Sequence, residues 1–224
     1  MRQKDQGLLL MLVVVIACVI MAFVDIVSPN YPIKSAGKIL LFLVVPLAYR
    51  RLNRSVSYRE LFILSKQNRK GTIIFAAVVY VFIILAYFSI GTYFDFSNVT
   101  VALENNIGVN AKNFIFVALY IAIVNSLLEE FFFRGFAFLT LKKFTTRKFA
   151  YVFSAGVFSV YHVAIMTSWF TPGLFILLIV SLFVAGLFFN WLNERAGSIY
   201  PSWIVHASAN FAINTIGLLL FEII

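Results

Sequence analysis

The stretch NFIFVALYIAIVNSLLEEFFFRGFAFLT, residues 113–140, decides what kind of protein this is. At 1.5 Å of rise per residue it is long enough to cross a bilayer as one helix. It nevertheless holds Glu129, Glu130 and Arg134 in its apolar second half. An ionised side chain at mid-membrane costs roughly 2.5 to 3.5 kcal/mol on insertion scales, so such residues are kept where they are partnered or used.

The rest of the chain has the same character. Of 224 residues, 62% are apolar and 12% charged, and 26 are Phe; a soluble domain carries about twice that charged fraction. Apolar runs at 7–27, 36–49, 71–94, 113–140, 149–168, 172–192 and 199–221 predict an all-α polytopic membrane protein with about seven transmembrane helices, or eight. The whole of 1–224 reads as a single transmembrane domain, in which 113–221 is the motif-bearing catalytic core. The second run is short and contains Pro46, which predicts a tilted, kinked or re-entrant segment entered at Tyr31-Pro32. The lone Cys18 excludes disulfides and thiolate metal clusters as organising features.

The formal charge of +9 raises nucleic acid as a partner, but the basic residues sit in short connections between apolar runs, where they set topology instead. Residues 50–70 hold seven Lys and Arg and the 142–148 connection four, whereas the alternate connections carry only Lys34, Lys38 and Lys112. The positive-inside rule then places the N-terminus in the cytoplasm. Residues 50–70, with Leu61-Phe62-Ile63-Leu64 among the charges, read either as a basic amphipathic segment on the cytoplasmic membrane surface or as an ordinary loop.

Three clusters of polar residues lie inside apolar runs: Glu129-Glu130 with Arg134, Phe158 with His162, and His206 with Asn210. They contain both histidines of the protein. Glu130 and Arg134 are four apart and share a helix face, so they are expected to pair. Glu129 is rotated by about 100° from Glu130, which leaves it a buried acid facing elsewhere. Alone, each cluster also has a packing explanation: a charge network, a hydrogen-bonded histidine, or interhelical glue. Their depths overlap, however, so three helices distant in sequence are expected to meet in one polar cavity. A carboxylate, two imidazoles and an amide suffice to activate a water and stabilise an oxyanion, with no cofactor required. The same groups could instead hold a divalent metal such as zinc, with Glu129, His162 and His206 as its ligands. Ser126 and Ser208 lie nearby but in no recognisable nucleophile–base arrangement.

Glu-Glu-x-x-x-Arg, Phe-x-x-x-His and His-x-x-x-Asn, in this order on successive apolar segments, resemble the CAAX-protease and bacteriocin-processing (CPBP, or Abi) family of intramembrane endopeptidases. The resemblance covers residues 113–221 and implies an all-helical cavity open toward the cytoplasm and inner leaflet. It implies peptide hydrolysis with Glu129 as general base, His162 positioning the water, His206 and Asn210 at the oxyanion, and Glu130, Arg134 and Phe158 in support. The implied substrate is a peptide or membrane protein met within lipid, in a bacterial plasma membrane, with roles in peptide maturation or bacteriocin immunity. A non-catalytic scaffold or immunity protein of the same fold is the competing expectation. A proton-coupled transporter is disfavoured, since neither repeated halves nor paired broken helices are seen.

Overall fold

A computed structural model describes residues 3–27, 30–53, 56–63, 69–93, 96–166 and 171–224. Regular structure among the described residues is helical throughout. The helices are α1 (Gln3–Val27), α2 (Tyr31–Leu52), α3 (Arg69–Ile90), α4 (Ser97–Ile107), α5 (Phe114–Lys143), α6 (Arg147–Met166), α7 (Pro172–Ala196) and α8 (Tyr200–Leu220). Six of them, α1, α2, α3, α5, α7 and α8, are long and apolar enough to cross a membrane. The 20-residue α6 packs among them, against α1, α5 and α7.

Lipid explains the outer surface. On α1, Leu10, Val14, Ala17 and Met21 recur at helical spacing and are buried, while Leu8, Ile16, Val19 and Phe23 on the other face are exposed. On α3 only Thr72 and Ala76 are buried, and Ile73, Val78, Phe82 and Leu85 are exposed. In water such a surface would aggregate; in hydrocarbon it is the expected one.

The core forms around the second half of α5. Phe131, Phe132, Phe133, Phe136 and Phe138 are buried there; Phe132 stacks on Phe42 of α2, and Phe133 packs against Phe158 and Tyr161 of α6. Where α6 meets α7, a Cβ on Gly186 would lie 3.0 Å from the Ala155 backbone, so glycine permits the close approach.

Two helices depart from α geometry beside this core. In α5, Ile121–Asn125 and Glu130–Thr140 are wound as π-helix, and the Thr140 hydroxyl accordingly donates to the Gly135 carbonyl five residues back. In α2, Ile39–Val44 is π-wound immediately before Val45-Pro46. The wider turn accommodates a proline that cannot donate an amide hydrogen bond, and α2 runs unbroken from Tyr31 to Leu52. The short, broken second span expected from the sequence is therefore a full-length helix, and Lys34 and Lys38 lie within it.

The basic connections gather at one end of the bundle. Tyr49 of α2 donates to the Gln6 carbonyl of α1, and Glu194 of α7 accepts from Lys142 of α5 and from Arg147 and Tyr151 of α6. At the other end Lys34 donates to the Asp25 carbonyl, joining α2 to α1. The described part of the expected surface segment, Val56–Ile63, forms no amphipathic helix. It makes one 3-10 turn at Glu60–Phe62 and buries Val56, Tyr58 and Leu61 beneath α5, because Leu61 and Tyr58 fit the gap at Gly135 and the Phe131–Phe136 ridge. Residues 54, 55 and 64–68, Leu64 among them, lie outside the described residues.

Candidate active site

Glu129 stands at the middle of α5, where an α-turn of four residues separates the two π stretches, and it is buried. Its two oxygens face different groups. Oε1 accepts from Lys38 Nζ of α2 at 2.9 Å and from Asn125 Nδ2, one turn earlier, at 2.9 Å. Lys38 Nζ also donates to Asn125 Oδ1 at 2.8 Å, closing a three-membered polar ring. Oε2 points at two imidazoles: His162 Nε2 of α6 at 3.8 Å and His206 Nε2 of α8 at 3.9 Å.

Both imidazoles are held by their other nitrogen. His162 Nδ1 lies 2.7 Å from the Phe158 carbonyl, and a carbonyl only accepts, so the proton is on Nδ1 and Nε2 of the neutral ring carries the lone pair. His206 Nδ1 lies 2.9 Å from Glu130 Oε1 and donates to it when Glu130 is ionised, which fixes the orientation of that ring. Two Nε2 atoms and one carboxylate oxygen thus converge on one small volume.

Glu130 and Arg134 form the wall behind it. Both are fully buried, and Arg134 Nε stands 3.4 Å from Glu130 Oε2, the pairing expected from their spacing. The guanidinium lies over the Phe158 ring at 4.0 Å and the Phe189 ring at 5.1 Å. Cation–π attraction replaces some of the hydration this arginine has lost. Phe158 also packs edge-on against His162 and His206, so one ring separates the arginine from both imidazoles.

Of the residues singled out in the sequence, Glu129, Glu130, Arg134, Phe158, His162 and His206 come together. Asn210 lies one turn beyond His206, but its amide donates to the Ile121 carbonyl of α5 at 3.4 Å and not to any side chain of the cluster. Ser126 bonds its own helix at Ala122, and Ser208 donates to the Ala76 carbonyl of α3, so neither hydroxyl is a nucleophile poised on a base.

Lys38 and Asn125 were not anticipated, nor was Asp25, which accepts from the Tyr161 hydroxyl at 3.0 Å beside the cluster. In the sequence Lys38 reads as a connection charge. Starting α2 at Tyr31-Pro32, where proline suits a first helical turn, places Lys38 two turns inside the helix.

Among the described residues no three His, Cys, Asp or Glu side chains form a group that could hold a metal ion, and Glu129 Oε1 faces the Lys38 ammonium.

Residues 111–212 match the family model for type II CAAX prenyl endopeptidases, Rce1-like. This stretch is similar to the endopeptidase domain of that family. No curated protein and no solved structure matches the chain. The matched stretch runs from the entry of α5 to Ala212 in α8 and contains every member of the cluster except Lys38, which α2 supplies from outside it. The match, on a chain with six helices long and apolar enough to cross a membrane, supports an intramembrane endopeptidase in general, acting on a peptide or protein.

Proposed function

We propose that the chain hydrolyses a peptide bond with a water activated by Glu129. The observation that carries this reading is the division of labour at Glu129: Oε1 is immobilised by Lys38 and Asn125, and Oε2 is left facing two imidazole nitrogens at distances one water spans. A water there donates one hydrogen to Oε2 and the other to His162 Nε2. Attack on the scissile carbonyl forms the C–O bond as Glu129 takes the water proton. The oxyanion is stabilised by His206, protonated on both nitrogens with Nδ1 on the Glu130 carboxylate, and by the Asn210 amide, whose long bond to Ile121 is exchanged for the substrate. Glu129 then delivers its proton to the departing amine as the C–N bond breaks.

Glu130 and Arg134 orient His206, and Phe158 sets the angle of both imidazoles. Each participant is a side chain of this protein, and no cofactor enters the scheme. The test is to compare membrane-associated peptides, by mass spectrometry, in cells producing the wild type and Glu129→Gln. Products present with the wild type and absent with the variant are expected. Identical peptide sets, with the biological phenotype kept, would favour a scaffold or immunity protein that acts by binding.

A further inference from the structure

A second charged cluster lies on the Lys38 side of Glu129, and the proposed reaction uses none of it beyond Lys38 itself. Asp25, near the end of α1, accepts from the Tyr161 hydroxyl of α6 at 3.0 Å. The Tyr161 ring in turn lies 5.5 Å from Lys38 Nζ, within reach of a cation–π contact. Lys34, one turn before Lys38 on the same face of α2, is 7% exposed and donates to the Asp25 backbone carbonyl at 2.8 Å. One chain of contacts therefore joins Asp25 to the site: Asp25 to the Tyr161 hydroxyl, the Tyr161 ring to Lys38, and Lys38 Nζ to Glu129 Oε1 at 2.9 Å. The Asp25 carboxylate is also within electrostatic range of Lys34, Lys38 and Glu129 together.

Charge decides what this arrangement does. An ammonium group buried where water cannot screen it is stable only beside an opposite charge. Glu129 supplies one negative charge to two lysines. Asp25 supplies the second, and Lys34, Lys38, Asp25 and Glu129 then sum to zero. The other titratable side chains in range, Cys18, Tyr31, Tyr161 and the neutral His162, add no charge. Glu130 and Arg134 pair with each other on the far side of Glu129, beyond His206. Without Asp25, two ammonium groups are left with one carboxylate, and the division of Glu129 into Oε1 for Lys38 and Oε2 for the imidazoles is no longer fixed.

We infer that Asp25 is a positioning residue for the proposed reaction: through Tyr161 and Lys38 it balances the charge around Glu129 and so fixes the carboxylate that activates water. Its effect on turnover rests on the proteolytic reading; the charge balance does not. The working unit then begins in α1, outside the stretch that the family model matches, and the α1–α2 hairpin is part of the site as well as its scaffold.

The test is a charge-compensation series in the full-length chain: wild type, Asp25→Asn, Lys34→Gln, and both substitutions together. Asparagine keeps an acceptor for Tyr161 and glutamine keeps a donor for the Asp25 carbonyl, so each change removes charge with little loss of hydrogen bonding. Thermal unfolding in detergent reads the balance without turnover. Cleavage in proteoliposomes, of a peptide that wild type cuts and Glu129→Gln does not, reads kcat and KM. Each single variant should unfold at a lower temperature, with kcat roughly 10- to 100-fold lower and KM little changed. The double variant, neutral again, should lie closer to wild type than either single variant in both readings, whereas residues that only pack would make it the worst of the four. If Asp25→Asn yields no folded protein, recovery of folded protein in the double variant supports the inference and its absence overturns it. A double variant no better than Asp25→Asn in unfolding, or Asp25→Asn with wild-type kcat, would also overturn it. Rescue in unfolding, with identical peptide sets in wild type and Glu129→Gln, would support the charge balance and overturn the proteolytic reading alone.

Discussion

Replacing Lys38 by methionine removes the ammonium while keeping an unbranched apolar chain of similar length. Two contacts disappear, at 2.9 Å to Glu129 and 2.8 Å to Asn125. Glu129 Oε1 keeps only the Asn125 amide. Stability should fall, because breaking a buried ion pair and stranding one charge costs about 3 to 5 kcal/mol; with Lys38 12% exposed, the lower end of that range applies. Activity should fall for a separate reason. Without its anchor the carboxylate rotates about its side-chain bonds, and a displacement of about 1 Å in a catalytic group lowers turnover by ~10²-fold, or about 2.7 kcal/mol of barrier. The assay is turnover of a peptide identified by the wild-type and Glu129→Gln comparison, in detergent, with unfolding followed on the same samples. The expected signature is a lower kcat with little change in KM, partly restored in Lys38→Arg, which keeps the charge. A Lys38→Met variant with wild-type kcat would refute the claim that Lys38 positions Glu129.

Other outcomes follow from the same geometry. Arg134→Met leaves Glu130 fully buried without its counter-charge and should destabilise the protein by about 3 to 5 kcal/mol in unfolding measurements; adding Glu130→Gln should recover part of that loss. Extended dialysis against EDTA should leave cleavage at the untreated rate, since Glu129 faces an ammonium and its Oε2 stands 3.8 Å from the nearest imidazole nitrogen; a loss restored by zinc would contradict the water-only scheme. Gly217→Ala drives a methyl into the Phe114 ring where α8 crosses α5, and should cost about 1 to 3 kcal/mol of stability, read by thermal unfolding in detergent.

What the sequence could disclose depended on where each residue sits relative to apolar runs. Glu129, Glu130 and Arg134 stand out because nothing else in 113–140 is charged, and the two histidines stand out because there are no others. The Glu130–Arg134 pairing was readable from spacing alone. Lys38 was hidden by the opposite circumstance: it follows a polar entry, Tyr31-Pro32-Ile33-Lys34, and α2 becomes continuous only because π winding accommodates Pro46. Without Lys38 the sequence leaves Glu129 unpartnered, whereas it is the more heavily bonded of the two glutamates. Asn125 escaped notice as an amide among apolar residues, and its approach to Glu129 spans the junction between π and α winding, which composition does not announce. Residues 50–70 stay ambiguous in sequence because charge dominates their composition, while the path of the described residues 56–63 is set by the burial of Val56, Tyr58 and Leu61.

The central claim is that Glu129, and not its neighbour Glu130, is the base. Purified wild type, Glu129→Gln and Glu130→Gln should be compared for cleavage of one peptide, in proteoliposomes, with unfolding measured in parallel. Glu129→Gln should fold and lose cleavage by at least ~10²-fold, the usual contribution of a general base. Glu130→Gln should retain measurable turnover, because it acts only by holding His206 at 2.9 Å. Wild-type cleavage by a folded Glu129→Gln protein would contradict the account.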